Sequence, residues 1–410
     1  MGHRQTILIV SMAPGDALRT ARASGLRVTL VTNATLTWQS EYIDQLLAVD
    51  PYDPSALLET LVEQSLASKF SAIVTYDERA VVATAQVAAS LGLRSNSVSA
   101  AYAARNKLVM REHFLKHGLA CPRFAAARTL YDALHFAEEV VKYPLVIKPL
   151  FGFASQGVVR IDSPEELCQS LPLISGIAAS YAPFVGDDPQ RDCLLLEEYM
   201  PGREIAVDAI LDNGVPRWIG MFDKPNPLEG PTFEETIYVT PSREREDVQQ
   251  AVQQEVTKGV RALGLHMGAI HAELRITPEG PRLLEIGARP IGGACARAHI
   301  YCLGLDYHSL VFASALGHPV EVPRTDKTPS GVMMMPVPGR GQLRSVEGLD
   351  EARAVPGVRD VFVLAKLGDT IELFPEQGCY LGFILATGQS PEAVERSLNT
   401  AFSSIRFELG

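Results

Sequence analysis

Short apolar runs alternate with amphipathic stretches along the first hundred residues of the chain. The runs at 6–10 and 72–75 predict buried strands, and the stretch at 78–90 predicts a helix. This alternation is typical of a parallel sheet covered by helices, which we place in an α/β unit at 1–97. The loop at 11–16 lacks the glycine spacing of a dinucleotide fingerprint, so no such cofactor is predicted there.

A hairpin carrying two acidic residues is predicted near the middle of the chain. Polar and apolar residues alternate over 269–276, and an apolar run follows a Pro-Glu-Gly-Pro turn. Antiparallel pairing brings Glu273 and Glu285 opposite each other, where they repel unless a hard cation such as Mg²⁺, or alternatively Mn²⁺, lies between them. Arg289 follows closely. The same pattern also fits two exposed acids and a loop arginine, and the hairpin alone does not separate these interpretations.

A lysine at the end of an apolar strand precedes a loop of small residues. Lys148 ends the strand, and the loop occupies 151–157. Backbone N–H groups of such a loop and a nearby ammonium group are a common way to hold phosphate. Glycine-containing loops between strands are frequent, so this feature becomes informative only together with others.

The remaining pattern predicts further helices, loops and strands. A single helix is predicted over 97–117, a surface loop over 175–190 and a long proline-rich acidic loop over 223–236. The chain after Gly331 is rich in strands and ends in a helix, which favours a C-terminal α+β lobe.

Composition and charge restrict the class of protein. The 410 residues are 47% hydrophobic and 21% charged, as in ordinary globular proteins. The formal net charge of −11 provides no basic surface for nucleic acid. The first apolar run is too short for a signal peptide or a membrane span, so neither nucleic acid nor membrane is an expected partner.

The cysteines indicate a reducing compartment, and we expect a cytoplasmic protein. They are scattered without CxxC pairs, which argues against structural zinc and against a disulfide framework. The six are Cys121, Cys168, Cys193, Cys295, Cys302 and Cys379.

Taken in order, the polar motifs resemble those of the ATP-grasp superfamily, in particular its L-amino-acid ligases, which form dipeptides. The motifs are Lys107, Lys148 with its glycine loop, Glu197-Glu-Tyr-Met200, Glu204, Glu273, Glu285 and Arg289. The resemblance covers nearly the whole chain. It implies an α/β ATP-grasp fold with a parallel-sheet pre-ATP-grasp domain at 1–97, an ATP-grasp core at 98–328 and a C-terminal α+β lobe at 329–410.

The resemblance also implies where ATP and magnesium bind. Each residue is assigned to ATP or to the metal by its position in the motifs. The implied ATP-binding residues are Lys107, Lys148, Ser155, Gly157, Glu197, Tyr199, Met200 and Glu204, and the implied metal ligands are Glu273 and Glu285.

The implied reaction is ATP-dependent ligation of a carboxylate and an amine through an acyl phosphate, with release of ADP and phosphate. Arg289, His271 and Lys148 are the implied catalytic residues, although a structural role for His271 is an equal alternative. The implied substrate-binding residues are Asp223, Lys224, Glu234, Arg289 and Gly292. The partners are ATP and small amino-acid substrates, a homodimer is an admissible assembly, and no base for the amine is identified.

One position departs from the superfamily pattern. Many ATP-grasp enzymes carry asparagine two residues after the second metal-binding acid, where this chain has Gly287. The departure resembles the dipeptide-forming group and removes one potential metal ligand. The alternatives are an ATP-grasp carboxylase, a purine-pathway ligase, or a nucleotide-binding regulator without turnover. Retention of both lysines, both acids and Arg289 argues against the regulator.

Overall fold

The N-terminal unit is a parallel sheet with helices on both faces. The computed structural model describes residues 4–322, 327–378 and 380–410. The elements of this unit are β1 (Thr6–Val10), α1 (Gly15–Ala23), β2 (Arg27–Val31), β3 (Gln45–Leu47), α2 (Pro54–Glu63), β4 (Ala72–Thr75) and α3 (Val81–Leu91), with 3₁₀ turns at Trp38–Glu41 and Glu78–Ala80. The strand order is β3-β2-β1-β4, so the chain reverses its direction of winding between β1 and β4.

A small antiparallel sheet of four strands follows, in the order β5-β8-β6-β7. The elements are α4 (Val98–Arg105), α5 (Lys107–Lys116), β5 (Phe124–Ala127), α6 (Leu130–Phe136), β6 (Leu145–Pro149), β7 (Val159–Ile161), α7 (Pro164–Ser180), α8 (Ala182–Val185) and β8 (Leu194–Glu198), with a π-helical turn at Ala137–Val141. Apolar residues of α6 and α7 pack on this sheet.

The largest sheet has eight strands among the described residues. The remaining elements are β9 (Arg203–Asp212), β10 (Val215–Asp223), β11 (Ile237–Thr240), α9 (Glu246–Leu263), β12 (Gly268–Thr277), β13 (Gly280–Gly287), α10 (Cys295–Leu303), α11 (Tyr307–Leu316), β14 (Ser330–Met334), β15 (Gly341–Glu347), α12 (Leu349–Ala354), β16 (Val358–Val363), β17 (Thr370–Ile371), β18 (Gly382–Thr387), α13 (Pro391–Ser404) and β19 (Arg406–Leu409). The strand order is β13-β12-β9-β10-β11-β14-β18-β16, and β17-β15-β19 form a small separate sheet.

Alternation along the central strands separates an apolar face from a polar one. Ile205 and Val207 of β9 pack against Val256 and Val260, which are four residues apart on α9. The opposite face of the same strands therefore carries the polar side chains that line the candidate site.

The proposed C-terminal lobe continues the large sheet. Strand β14 pairs with β11, and β18 and β16 extend the sheet beyond it. Strands from both sides of the proposed boundary at 328–329 thus share one sheet, and the domain limits remain a prediction. Within the described ranges no helix is long and apolar enough to traverse a lipid bilayer.

Two predicted elements are wrong in detail. The single helix predicted over 97–117 is two helices, because Asn106 has extended backbone and its side chain accepts hydrogen bonds from the N–H groups of Leu108 and Val109, which begins a new helix. Within the loop predicted over 175–190, helix α7 continues as far as Ser180 and helix α8 occupies Ala182–Val185. Pro172 and Gly176 lie inside α7, where packing of Ile174 and Ile177 overrides their low helix propensity.

Candidate active site

A cavity of about 440 Å³ lies where the three larger sheets approach one another. Residues after β1 and β4 line one side, the glycine loop and the small sheet line another, and the polar face of the large sheet forms the floor. The carboxyl ends of parallel strands at a reversal of winding direction are a recurrent ligand site.

The pair of acids predicted from the hairpin lies on the floor of this cavity. Glu273 of β12 and Glu285 of β13 are direct partners in the antiparallel register. Glu273 Oε1 lies 2.8 Å from Lys224 Nζ, and Glu285 Oε2 lies 2.9 Å from Lys107 Nζ. Burial opposes ionisation of both carboxyls, but the lysines outweigh it and the pKa of each is lowered.

Lys107 begins helix α5 and reaches both the floor and the glycine loop. Besides Glu285, its ammonium group donates to the carbonyl oxygen of Gly152 at 2.8 Å. The extended backbone at Asn106 directs α5 so that its first residue faces the cavity. Lys107 thus joins the loop to one of the two acids.

Lys148 is held by a buried carboxylate. It forms an ion pair with Glu197, whose other oxygen lies 2.5 Å from Arg111 Nε. Burial would raise the pKa of Glu197, but Arg111 and Lys148 reverse the effect and lower it to about 2. Burial lowers the pKa of Lys148, and Glu197 opposes that shift. Glu197 therefore neutralises two cations, a role that the sequence does not reveal.

The glycine loop presents Ser155 but not Gly157 to the cavity. Ser155 lines the cavity wall in a left-handed backbone conformation, with φ of 55°. The N–H of Gly157 instead donates to the carbonyl oxygen of Pro375 at 2.9 Å, away from the cavity. The predicted contact of Gly157 with ATP is corrected accordingly.

The hinge after β8 and the start of β9 form the end of the cavity near the small sheet. Tyr199, Met200 and Glu204 all line it. Glu204 Oε2 lies 3.1 Å from Arg275 Nε, a cross-strand pair of β9 and β12. The backbone N–H of Tyr199 donates to the carbonyl oxygen of Pro144, so this amide already has a partner.

Lys224 lies at the centre of three carboxylates. Its Nζ contacts Glu204 at 2.5 Å and Glu273 at 2.8 Å, and it also pairs with Glu235. Burial would lower the pKa of Lys224, but these acids raise it well above its ordinary value. The same three carboxylates have the spacing of a metal site, yet the ammonium group of Lys224 lies among them.

Glu235, and not the predicted Glu234, faces the cavity. Glu235 accepts hydrogen bonds from the phenols of Tyr238 at 2.8 Å and Tyr380 at 3.2 Å. Burial raises its pKa to about 7, with Glu273 and Glu204 adding to the effect and Lys224 opposing it. Glu234 accepts a hydrogen bond from the N–H of Val337 and does not line the cavity.

Two further substrate-contact predictions are corrected. The carboxylate of Asp223 accepts hydrogen bonds from Ser242 and from the backbone and side chain of Arg243, outside the cavity. The Lys224 side chain is only 3% exposed, is enclosed by its three carboxylates and does not line the cavity. Gly292 does line the cavity, beside Arg289.

His271 connects the floor acid Glu273 to a deeper carboxylate. Its Nδ1 lies 3.1 Å from Asp208 Oδ1 and its Nε2 lies 3.4 Å from Glu273 Oε1. Burial would lower the pKa of His271, but Asp208 and Glu273 raise it to about 9. Asp208 also lies 2.8 Å from His299 Nε2. His271 therefore orients the carboxylate of Glu273.

Arg289 is tied to the N-terminal unit. Its Nε donates to Glu78 Oε2 at 2.7 Å, and its Nη1 donates to the carbonyl oxygen of Pro290 at 3.0 Å. Both Glu78 and Arg289 line the cavity. Burial opposes the charge on Arg289, and Glu78 reverses this and raises its pKa.

Several residues that line the cavity, or that contact its lining side chains from beneath, were not predicted from the sequence. A usable signal existed for Asp208, which lies four residues after Glu204 on one strand and so shares its face. Glu235 was adjacent to a predicted residue in a loop, where alternation gives no facing direction. The others, Glu78, Arg111 and Arg275, act through partners distant in sequence.

The hairpin acids suit a hard divalent cation. Glu273 and Glu285 offer ionised carboxylate oxygens from directly opposed positions, and magnesium prefers such oxygen ligands. Their lysine partners maintain the charge balance of the buried site in this structure.

The fold and this site define an ATP-grasp protein. The chain matches the family models of the ATP-grasp N-terminal domain at 18–94, the ATP-grasp domain at 141–298 and the L-amino acid ligase C-terminal domain 2 at 333–410. The chain therefore contains the ATP-grasp domains together with a C-terminal domain of the L-amino-acid ligase type, as the sequence motifs predicted.

Similar proteins agree with this grouping. The structure resembles that of the L-amino acid ligase from Bacillus licheniformis, with a TM-score of 0.84 and 25% identity over 100% of both chains. The chain is 30% identical to dapdiamide A synthase of Enterobacter agglomerans over 64% of this chain and 61% of that one. It is also 30% identical to the alanine–anticapsin ligase of Bacillus subtilis strain 168 over 57% and 52%, respectively. The chain thus spans less than two thirds of these curated relatives.

Proposed function

We propose that the protein is an ATP-dependent carboxylate–amine ligase that joins the carboxylate of one amino acid to the amino group of another. The observation that carries this proposal is the cavity itself. Lys107 and Lys148, the opposed acids Glu273 and Glu285, and Arg289 converge there. The likeness to L-amino-acid ligases supports the choice of amino acids as substrates.

The residues at one end of the cavity suit ATP. Lys107, Lys148 and Ser155 would bind the phosphates, with Tyr199 and Met200 at the adenine and Glu204 at the ribose. The ion pair with Glu197 opposes the loss of charge that burial favours at Lys148. Glu273 and Glu285 would hold Mg²⁺, which supplies charge neutralisation on the phosphates when bound.

The reaction then proceeds in two displacements. A carboxylate oxygen of the first amino acid attacks the γ-phosphorus, and the bond to the bridging oxygen breaks to release ADP. The neutral amine of the second amino acid attacks the acyl carbon, a C–N bond forms, and phosphate leaves with the electrons of the C–O bond. The nitrogen loses one proton, to the departing phosphate or to water, as the amide forms. Arg289 stabilises the oxyanion of this second step by positive charge.

The acid that recognises a substrate ammonium group is proposed to be Glu235. Its carboxylate faces the cavity and is fixed by Tyr238 and Tyr380. Tyr238 and Lys224 contact Oε1 and Tyr380 donates to Oε2, so a substrate ammonium group would share this carboxylate with Lys224. This assignment replaces Asp223 and Glu234.

A cytoplasmic location is proposed on the cysteine chemistry. Cys121, Cys168, Cys193, Cys295 and Cys302 are free thiols. The sixth, Cys379, lies outside the described residues.

The decisive experiment is incubation of the full chain with Mg-ATP and pairs of free L-amino acids. We expect a dipeptide, ADP and phosphate in equal amounts, measured by mass spectrometry and by a phosphate assay. Formation of AMP and pyrophosphate, or of a bicarbonate-dependent carboxylated product, would reject the proposed chemistry in favour of another ligase or a carboxylase.

A further inference from the structure

Glu78 belongs to the N-terminal unit and lines the wall of the cavity beside Arg289. It follows β4 at the carboxyl edge of the parallel sheet, in the 3₁₀ turn Glu78–Ala80. Asp77 begins this turn by accepting a hydrogen bond from the N–H of Arg79 at 2.9 Å. The turn therefore fixes the direction in which the Glu78 side chain points.

The carboxylate of Glu78 lies between two arginines. Its Oε2 accepts from Arg289 Nε at 2.7 Å, and its Oε1 lies 3.9 Å from Arg105 Nε. Arg105 in turn donates to the carbonyl oxygens of Phe151 and Gly152 in the glycine loop. Glu78 thus connects the arginine of the ligation site to the arginine that holds the phosphate-binding loop.

Gly287 provides the space for this carboxylate. A Cβ atom at position 287 would lie 3.2 Å from Glu78 Oε2, closer than ordinary van der Waals contact. Gly287 is not among the residues with positive φ, so its backbone does not require glycine. A side chain at position 287 would therefore require the Glu78 carboxylate to move by a few tenths of an ångström.

We propose that Glu78 is the positioning residue for Arg289 and that Gly287 leaves the room in which the Glu78 carboxylate lies. Glu78 engages Arg289 Nε, Pro290 engages Nη1, and no described residue accepts a hydrogen bond from Nη2. Glu78 and Pro290 thus hold the guanidinium through Nε and Nη1, and the N–H groups of Nη2 stay available for an anion. The identity of that anion as an acyl phosphate rests on the proposed function.

The test measures phosphate binding, which does not depend on the amino-acid substrates. Orthophosphate is titrated by calorimetry into the full chain saturated with Mg-ADP. In Glu78→Ala we expect phosphate binding to weaken about tenfold, as for other orienting residues, while ADP affinity stays within about twofold. Arg289→Ala gives the loss of phosphate affinity that is expected when the cation itself is absent. Glu63→Gln, at an exposed position on α2, is the control.

A double-mutant cycle separates positioning from a general structural effect. Gly287→Ala should weaken phosphate binding by displacing Glu78, and it should add less than about twofold in the Glu78→Ala background. Glu78→Gln keeps an oxygen acceptor for Arg289 Nε and should lose less affinity than Glu78→Ala. It also provides the measurement if Glu78→Ala fails to fold.

Three results would overturn the inference. The first is that the losses of phosphate affinity caused by Gly287→Ala and Glu78→Ala multiply in the double variant. The second is that Glu78→Ala weakens the binding of ADP and of phosphate equally. The third is that the wild-type Mg-ADP complex binds no phosphate. Failure of the wild-type chain to form dipeptides would reject the proposed function and leave the phosphate cycle interpretable.

Discussion

Glu273 and Glu285 are direct cross-strand partners, yet each carboxylate is paired with a lysine from a different part of the chain. Lys224 follows β10, and Lys107 begins α5. Two buried carboxylates at this separation repel, so the lysines supply the positive charge that keeps both ionised. A divalent cation bound between the acids would take over part of that role and leave the ammonium group of Lys107, which lines the cavity, free to contact phosphate oxygens.

Glu285→Gln should lower turnover by about a hundredfold or more, because it removes a charged ligand oxygen and leaves Lys107 without its carboxylate. ADP release measured over a magnesium titration checks the prediction, with circular dichroism to verify the fold. The matched control is Glu279→Gln in the turn of the same hairpin. Full activity of Glu285→Gln at ordinary magnesium would refute the metal assignment.

Lys148→Ala should weaken ATP binding by about tenfold or more, since a charged hydrogen bond contributes roughly 1.5 to 3 kcal/mol. Amino-acid binding should change much less, because the residue lies at the glycine-loop end of the cavity. Calorimetry with ATP checks this, and Lys116→Ala at the exposed end of α5 is the control. Unchanged nucleotide affinity would exclude Lys148 from the ATP site.

The sequence predicted the parts of the site that depend on local periodicity. The pairing of Glu273 with Glu285 follows from strand alternation and a turn of known chemistry. Lys148 was placed correctly at a strand end for the same reason.

Long-range partners could not be predicted in this way. Glu78 is 211 positions from Arg289, and Asp208 is 63 positions from His271, so no local pattern relates them. The break at Asn106 was missed because it depends on a side chain that caps a helix within a helical pattern. Helix α7 was missed because tertiary packing overrides its proline and glycine.

Glu235→Gln should reduce dipeptide synthesis, whereas Glu234→Gln should not change it beyond about twofold. Glu235 faces the cavity between Tyr238 and Tyr380, while Glu234 bonds the backbone of Val337. Adjacent positions and the same chemical change make these two variants a matched pair. The measurement is the Michaelis constant of each amino acid at saturating ATP. Equal effects of the two substitutions would contradict the assignment of Glu235.

His308 should make the stability of the protein sensitive to mild acid. It is 1% exposed on α11, and its Nδ1 lies 3.2 Å from the phenol oxygen of Tyr76 in the N-terminal unit. Burial lowers its pKa to about 4 from an ordinary value of 6.5, with Arg297 adding to the shift and Asp306 and Asp16 opposing it. The folded state therefore binds fewer protons than the unfolded state between these two values.

Because the unfolded state binds the extra proton, the free energy of unfolding should rise with pH across this window and fall on acidification. The stabilising contribution is complete above about pH 6.5 and is lost as the pH falls toward 4, with a maximum of about 3 kcal/mol. Urea unfolding of wild type and His308→Gln at several pH values isolates this residue from other titrating groups. The free energy of unfolding of wild type minus that of His308→Gln should decrease from pH 7 to pH 4, because the histidine is protonated in the unfolded state before it is protonated in the folded state. The control is His266→Gln at an exposed position, whose free energy of unfolding should follow that of wild type at every pH. If the difference between wild type and His308→Gln does not change with pH, the buried imidazole does not titrate in this range.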